Sequence, residues 1–211
     1  MDTITANGCG RGGICALFAA LVFLTVAGRA QGSQVWMGAM EPIWRGASGW
    51  PVNDYMELFS EHSPWTQASS RVDVWFMHKK FAGEASDQEI LQVLGELKRR
   101  NIALALQGVP LVASEVCGRA VESYAPAHSM GKIAARLKRL GADLRYVALD
   151  EPLYYGHEFP GSPNRPSCHM SIAEVAAQTV QSMAEVKAVF PHVLIGDIEP
   201  FGIPQPDRAT W

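Results

Sequence analysis

The feature that most constrains this chain is a fivefold alternation of strand-like and helix-like segments. Short apolar runs at residues 35–40, 72–77, 102–107, 144–149 and 193–198 are rich in Val, Ile, Leu and aromatics, and each is bounded by polar or turn residues. Most of them lack a clean apolar/polar alternation, which predicts strands covered on both faces, as in parallel sheets. Helical patterns lie between the runs. Ser86 with Glu89 and Ser171 with Glu174 have the spacing of capping boxes, in which each side chain satisfies a backbone N–H of the first turn. The first box precedes Ile90, Leu91, Leu94 and Leu97; the second precedes Val175, Met183, Val186 and Phe190, where Pro191 stops the helix. Ser129 is expected to cap a third helix carrying Ile133, Leu137 and Leu140, with Gly141 free to turn left-handed at its end. Tyr55, Met56, Leu58 and Phe59 suggest a weaker helix in the first connection.

Strict alternation implies right-handed βαβ crossovers and an α/β fold. The expectation is a partial (β/α)8-like barrel with five strands, spanning residues 31–211; an open, doubly wound parallel sheet is the alternative. The chain has 211 residues, and a complete eight-unit barrel takes about 250. The sequence Ile203-Pro204-Gln205-Pro206-Asp207 reads as the start of a strand-to-helix loop whose helix is missing, which favours a truncated barrel.

Residues 14–27 form an uncharged apolar run preceded by Arg11 and followed by Gly28-Arg29-Ala30. The run is shorter than the roughly 20 residues a membrane span requires, so residues 1–30 are expected to be a signal peptide, with no stable span after its removal. A secreted or periplasmic location follows. Cys9 and Cys15 would leave with the leader, so Cys117 and Cys168 are expected to pair as a disulfide. Each lies in one of two unusually long connections, 109–128 and 152–170, which a disulfide would tie together. The net charge of −3 and the absence of a concentrated basic stripe give no electrostatic case for nucleic acid.

Every predicted strand delivers polar groups to its carboxyl end, where ligands bind in such folds: Glu41, His78-Lys79, Gln107, Asp150-Glu151-Pro152 and Asp197-Ile198-Glu199-Pro200. Carboxylates are costly to desolvate, so three acidic clusters on one rim suggest chemistry. Consecutive strand residues face opposite ways, so one of Asp150 and Glu151 is expected to face the centre, and Glu151 is the favoured one. A partly enclosed carboxyl can hold its proton to neutral pH and act as general acid. Asp197 and Glu199 would share a face and approach it.

The Asp150-Glu151-Pro152 motif resembles the Asn-Glu-Pro ending of the fourth strand in retaining (β/α)8-barrel glycoside hydrolases. The resemblance implies that Glu151 is the acid/base of glycosidic-bond cleavage, with carbohydrate as the ligand and no cofactor. Asp150 stands where the family has Asn, and the family's seventh-strand nucleophile would lie beyond Trp211. Asp150, Asp197 and Glu199 would position the sugar, tune Glu151 or supply the second carboxylate; Glu41, His78, Gln107, Tyr155 and Trp44 would bind it. Among the aromatics, Trp44, Trp50 and Tyr155 are the loop candidates for stacking, whereas Trp36 and Trp75 are expected to pack in the core or helix layer. Two alternatives remain open. One is a metal-dependent sugar isomerase or hydrolase using His78, His157 or His169 with the rim acids; the other is a carbohydrate-binding module without catalysis. Neither Gly-x-Gly-x-x-Gly nor a P-loop follows the first strand and Gly-x-Ser-x-Gly is missing, which argues against dinucleotide, NTP and serine-hydrolase chemistry of those types.

Overall fold

The computed structural model describes residues 33–42 and 54–200. The leader at 1–30, Trp44, Trp50 and the segment 203–207 lie outside the described residues. Five parallel strands form the main sheet: β1 (Trp36–Met37), β2 (Val74–Met77), β3 (Ala103–Gly108), β6 (Leu144–Asp150) and β7 (Leu194–Ile198), in the order β1-β2-β3-β6-β7. Two further strands, β4 (Leu111–Val112) and β5 (Tyr124–Ala125), pair in parallel within the long connection after β3. They escaped sequence reading because two-residue strands carry no periodicity.

Main-sheet order follows chain order without reversal, so the sheet is singly wound. A doubly wound sheet needs a switch point, where the strand order turns back. The barrel is not closed among the described residues, but the sheet is strongly curled. Register places Trp36, Val74, Ala103 and Ala105, and Tyr146 on one face. Flat strands spaced about 4.8 Å apart would separate Trp36 from Tyr146 by roughly 14 Å. Their ring centroids are 5.1 Å apart, and Gln34 Nε2 donates to the Tyr146 hydroxyl at 2.9 Å. Trp36 therefore sits on the concave face, 41% exposed, rather than in a core or helix layer. Trp75 does pack in the core.

The opposite, convex face holds the core. Trp75, Met77, Leu104, Leu106, Val147 and Leu149 pack there with helix residues Ile90, Val93, Leu97, Ile133, Leu137, Met183 and Val186. Full burial of each large apolar side chain contributes about 1.5–3 kcal/mol. Helix α3 (Asp87–Arg100) begins with the Ser86/Glu89 capping box and ends at Asn101, which adopts a left-handed conformation with φ 57°. Its buried positions are Ile90, Val93 and Leu97; Leu91 faces outward. Helix α5 (Ile172–Val189) carries the second box at Ser171/Glu174. In α4 (Ser129–Arg139), Ser129 is the first helical residue and does not cap; His128 takes the cap position at φ 61° without a side-chain cap bond. Gly141 is left-handed beyond its end, as the pattern predicts. Residues Tyr55–Phe59 form a 3-10 turn that packs on Trp75 and Phe81, and the one-turn helix α1 (Thr66–Ser69) follows it. No helix among the described residues is long and apolar enough to cross a membrane.

Candidate functional site

Polar residues at the strand ends make a hydrogen-bonded girdle around the rim, and most of the girdle consists of caps. Helix α2 (Lys79–Glu84) begins at His78, which supplies no side-chain cap, so its first N–H groups need partners from elsewhere. Glu41, following β1, accepts from the His78 backbone N–H at 2.9 Å, and Gln107 on β3 accepts from that of Lys79 at 3.3 Å. At the other end of the sheet, Glu199 accepts from the N–H groups of Leu153 at 2.6 Å and Tyr154 at 3.0 Å. These open a single π-helical turn, Tyr154–Glu158, closed by Phe159 N–H donating to the Tyr154 carbonyl at 2.7 Å. Residues at the ends of β1, β3 and β7 thus satisfy donors that follow β2 and β6.

Asp150, rather than Glu151, continues the concave face. It pairs with Ile198 in register and lies two residues beyond Ala148, which pairs with Gln107. Gln107 Nε2 donates to Asp150 Oδ2 at 2.8 Å, so one glutamine side chain joins the start of α2, β3 and β6. Asp197 pairs with Leu149, on the opposite side of the sheet from Asp150, where it is exposed. Asp197 therefore does not join Asp150 on the concave face, and Glu199 lies beyond the last paired residue of β7.

Glu151 leaves the strand at φ 53°, a left-handed conformation costing on the order of 1–3 kcal/mol in a residue with a Cβ. Two bonds hold it there: its N–H donates to the Ile198 carbonyl at 2.8 Å, and its carbonyl accepts from Tyr155 at 3.0 Å. Among the described residues, no hydrogen bond engages its carboxyl. Desolvation, then the charges of Asp150, Glu122 and Glu199, push its pKa above the ordinary carboxylate value. Asp150 is also raised, by burial and then Glu122, with Gln107, His78 and Lys79 opposing.

Glu122 was missed by the sequence reading, because nothing in its local context distinguishes it from any loop glutamate. The Tyr155 hydroxyl donates to its Oε2 at 3.0 Å, and Arg165 lies 3.5 Å from its Oε1. Tyr155 also packs against Tyr154 and Phe159. Cys117 and Cys168 form a disulfide, with Cα atoms 5.0 Å apart, that ties the two long connections beside this cluster. Gly118 and Gly156 let these connections pack closely: Gly118 has φ +76° and lies under the Tyr124 ring, and a Cβ on Gly156 would meet Val175 at 2.6 Å.

Lys79 is half-buried, its pKa lowered by burial, and its Nζ donates to the Tyr124 carbonyl at 3.1 Å. His157 Nδ1 lies 2.7 Å from the Met170 carbonyl. No group of three His, Cys, Asp or Glu side chains among the described residues is arranged to hold a metal ion.

No family model and no curated protein matches the chain. Solved structures do match. A type I 3-dehydroquinate dehydratase from Clostridium difficile is 11% identical with a TM-score of 0.42, covering 79% of this chain and 51% of that one. A D-psicose 3-epimerase from Clostridium cellulolyticum H10, solved with D-tagatose, is 13% identical with a TM-score of 0.41, covering 77% and 50%. Another D-psicose 3-epimerase, solved with D-fructose, is 14% identical with a TM-score of 0.37, covering 61% and 42%. The chain spans about half the length of these structures or less.

Proposed function

We propose that this chain is an exported carbohydrate-active protein that cleaves glycosidic bonds with Glu151 as general acid/base. The observation that carries the reading is the state of the Glu151 carboxyl. It stands at the carboxyl end of a central barrel-type strand, on a strained residue, free of any hydrogen bond from the described residues and surrounded by Asp150, Glu122 and Glu199. Like charges and desolvation both shift Glu151 toward the protonated form, the form that can donate a proton to a leaving oxygen. After departure it can take a proton from water. Asp150, fixed by Gln107, and Glu122, fixed by Tyr155, supply carboxylates that can face developing positive charge on a sugar ring. The Cys117–Cys168 disulfide and the leader-like residues 1–30 support export.

A panel of aryl glycosides and polysaccharides tests the reading. Hydrolysis is expected in the wild type, unaffected by chelator, and lost in Glu151→Gln. Full activity in that variant, or glycan binding with no turnover, would remove Glu151 as the acid.

A further inference from the structure

Glu41 has no solvent exposure, yet it follows an edge strand only two residues long. Its Oε1 accepts from the His78 N–H, and its Oε2 lies 3.2 Å from His78 Nδ1. Neither Oε2 nor Nδ1 has another hydrogen-bond partner among the described residues. A buried carboxylate is expensive unless a cation neutralises it, and the imidazole is the group in contact. The His78 side chain is 27% exposed and its ring lies 5.5 Å from that of Phe76, two residues earlier on the concave face. Met77 pairs with Leu106, so the register carries His78 alongside Gln107, the residue whose amide holds Asp150. Glu41 and His78 thus meet at one end of the rim; Gln107 links the next backbone N–H, that of Lys79, to Asp150, and the charge of His78 acts on Asp150 through space.

We propose that Glu41 is a positioning residue that acts through His78: it holds the imidazole as a cation at the rim, and that cation favours the ionised form of Asp150, the neighbour of Glu151. As a device for the acid site, this rests on the hydrolase reading. The groups facing His78 and its partners are Glu41 after β1, Asp150 on β6, Lys79 on α2 and Tyr55 on the 3-10 turn, with Glu122 acting on Asp150 from the loop. Glu41 and Asp150 raise the affinity of His78 for its proton, while burial opposes them. Lys79 adds a second cation that favours the ionised form of Asp150.

The test is an NMR titration of the full-length chain, following the His78 ring nitrogens, assigned through His78→Gln. In the wild type the His78 midpoint should lie above that of a free imidazole. In Glu41→Gln, which keeps the amide-to-Oε1 bond but removes the charge, the midpoint should fall so that the charged-to-neutral ratio at fixed pH drops at least about tenfold. An unchanged midpoint overturns the proposal. Should Glu41→Gln fail to fold, the Asp150 carboxyl is followed in His78→Gln, where its midpoint should rise; an unchanged one again overturns the proposal. Neither readout needs a substrate. The predicted His78 shift in a protein that hydrolyses no glycoside would support the charge relay and overturn the hydrolase reading. Hydrolysis that depends on Glu151 while His78 ignores Glu41→Gln would do the reverse.

Discussion

The two ends of the rim use the same residue type for different purposes. On the β1–β2 side, Glu41 is fully buried, with one oxygen on a backbone N–H and the other against His78. On the β6–β7 side, Glu199 is likewise committed to two backbone N–H groups, but its neighbour Glu151 has a carboxyl that no described residue engages by a hydrogen bond. A carboxylate at a strand end can thus serve as a cap for the next element or as a free acid. Its place in the sequence does not separate these roles; the fate of its oxygens does.

The sharpest way to break this contrast is to neutralise the free acid. Glu151→Gln should lower kcat about 10²–10⁴-fold, the usual worth of general acid catalysis, while leaving thermal unfolding nearly unchanged. An equal loss of stability in a melting experiment would move Glu151 to the structural side. Next in size is the disulfide beside the free acid. Cys117 and Cys168 are 51 residues apart, and in a chain-entropy model closing such a loop contributes on the order of 4 kcal/mol. Urea unfolding of the Cys117→Ser, Cys168→Ser double variant should show a loss of that order.

The committed acids should respond in the opposite sense from Glu151. Glu199→Ala removes the acceptor for two N–H groups and should cost about 1–2 kcal/mol in denaturant unfolding. A loss confined to activity would contradict the capping role. The smallest effect expected is in pH dependence. Glu41, Asp150, Glu151, Asp197 and Glu199 all have pKa values raised above their ordinary ones, chiefly by burial. Groups of this sign stabilise the fold below their unfolded values, near 4, and lose that contribution as pH rises through the higher folded values. Melting temperature should therefore drift downward above pH 4 on their account, and Glu151→Gln should flatten part of the drift. The same proton should make activity fall as pH rises through the folded pKa of Glu151.

The pattern of the sequence predicts the five main strands to within a few residues, both capping boxes and the left-handed Gly141, because each is decided within a turn or a pleat of its own residues. The cysteine pairing is also legible, from two long loops each holding one thiol. The acidic rim is visible as a list of residues at strand ends, Asp150 and Glu151 among them.

What each of those residues does was decided only in three dimensions. The bonds from Glu41 to His78, Gln107 to Asp150 and Glu199 to Leu153 cross 37, 43 and 46 positions, and they exist because parallel register brings distant strand ends level. Glu122 joins the acids through Tyr155, 33 residues away. Register gives the concave face to Asp150, and the bend that lifts Glu151 out of the pleat is held by the carbonyl of Ile198 on the neighbouring strand. Local propensity acts over a few residues and is written in the sequence; the pairing of a carboxylate, which separates a cap from a candidate acid, depends on chain segments that meet only after the sheet has formed.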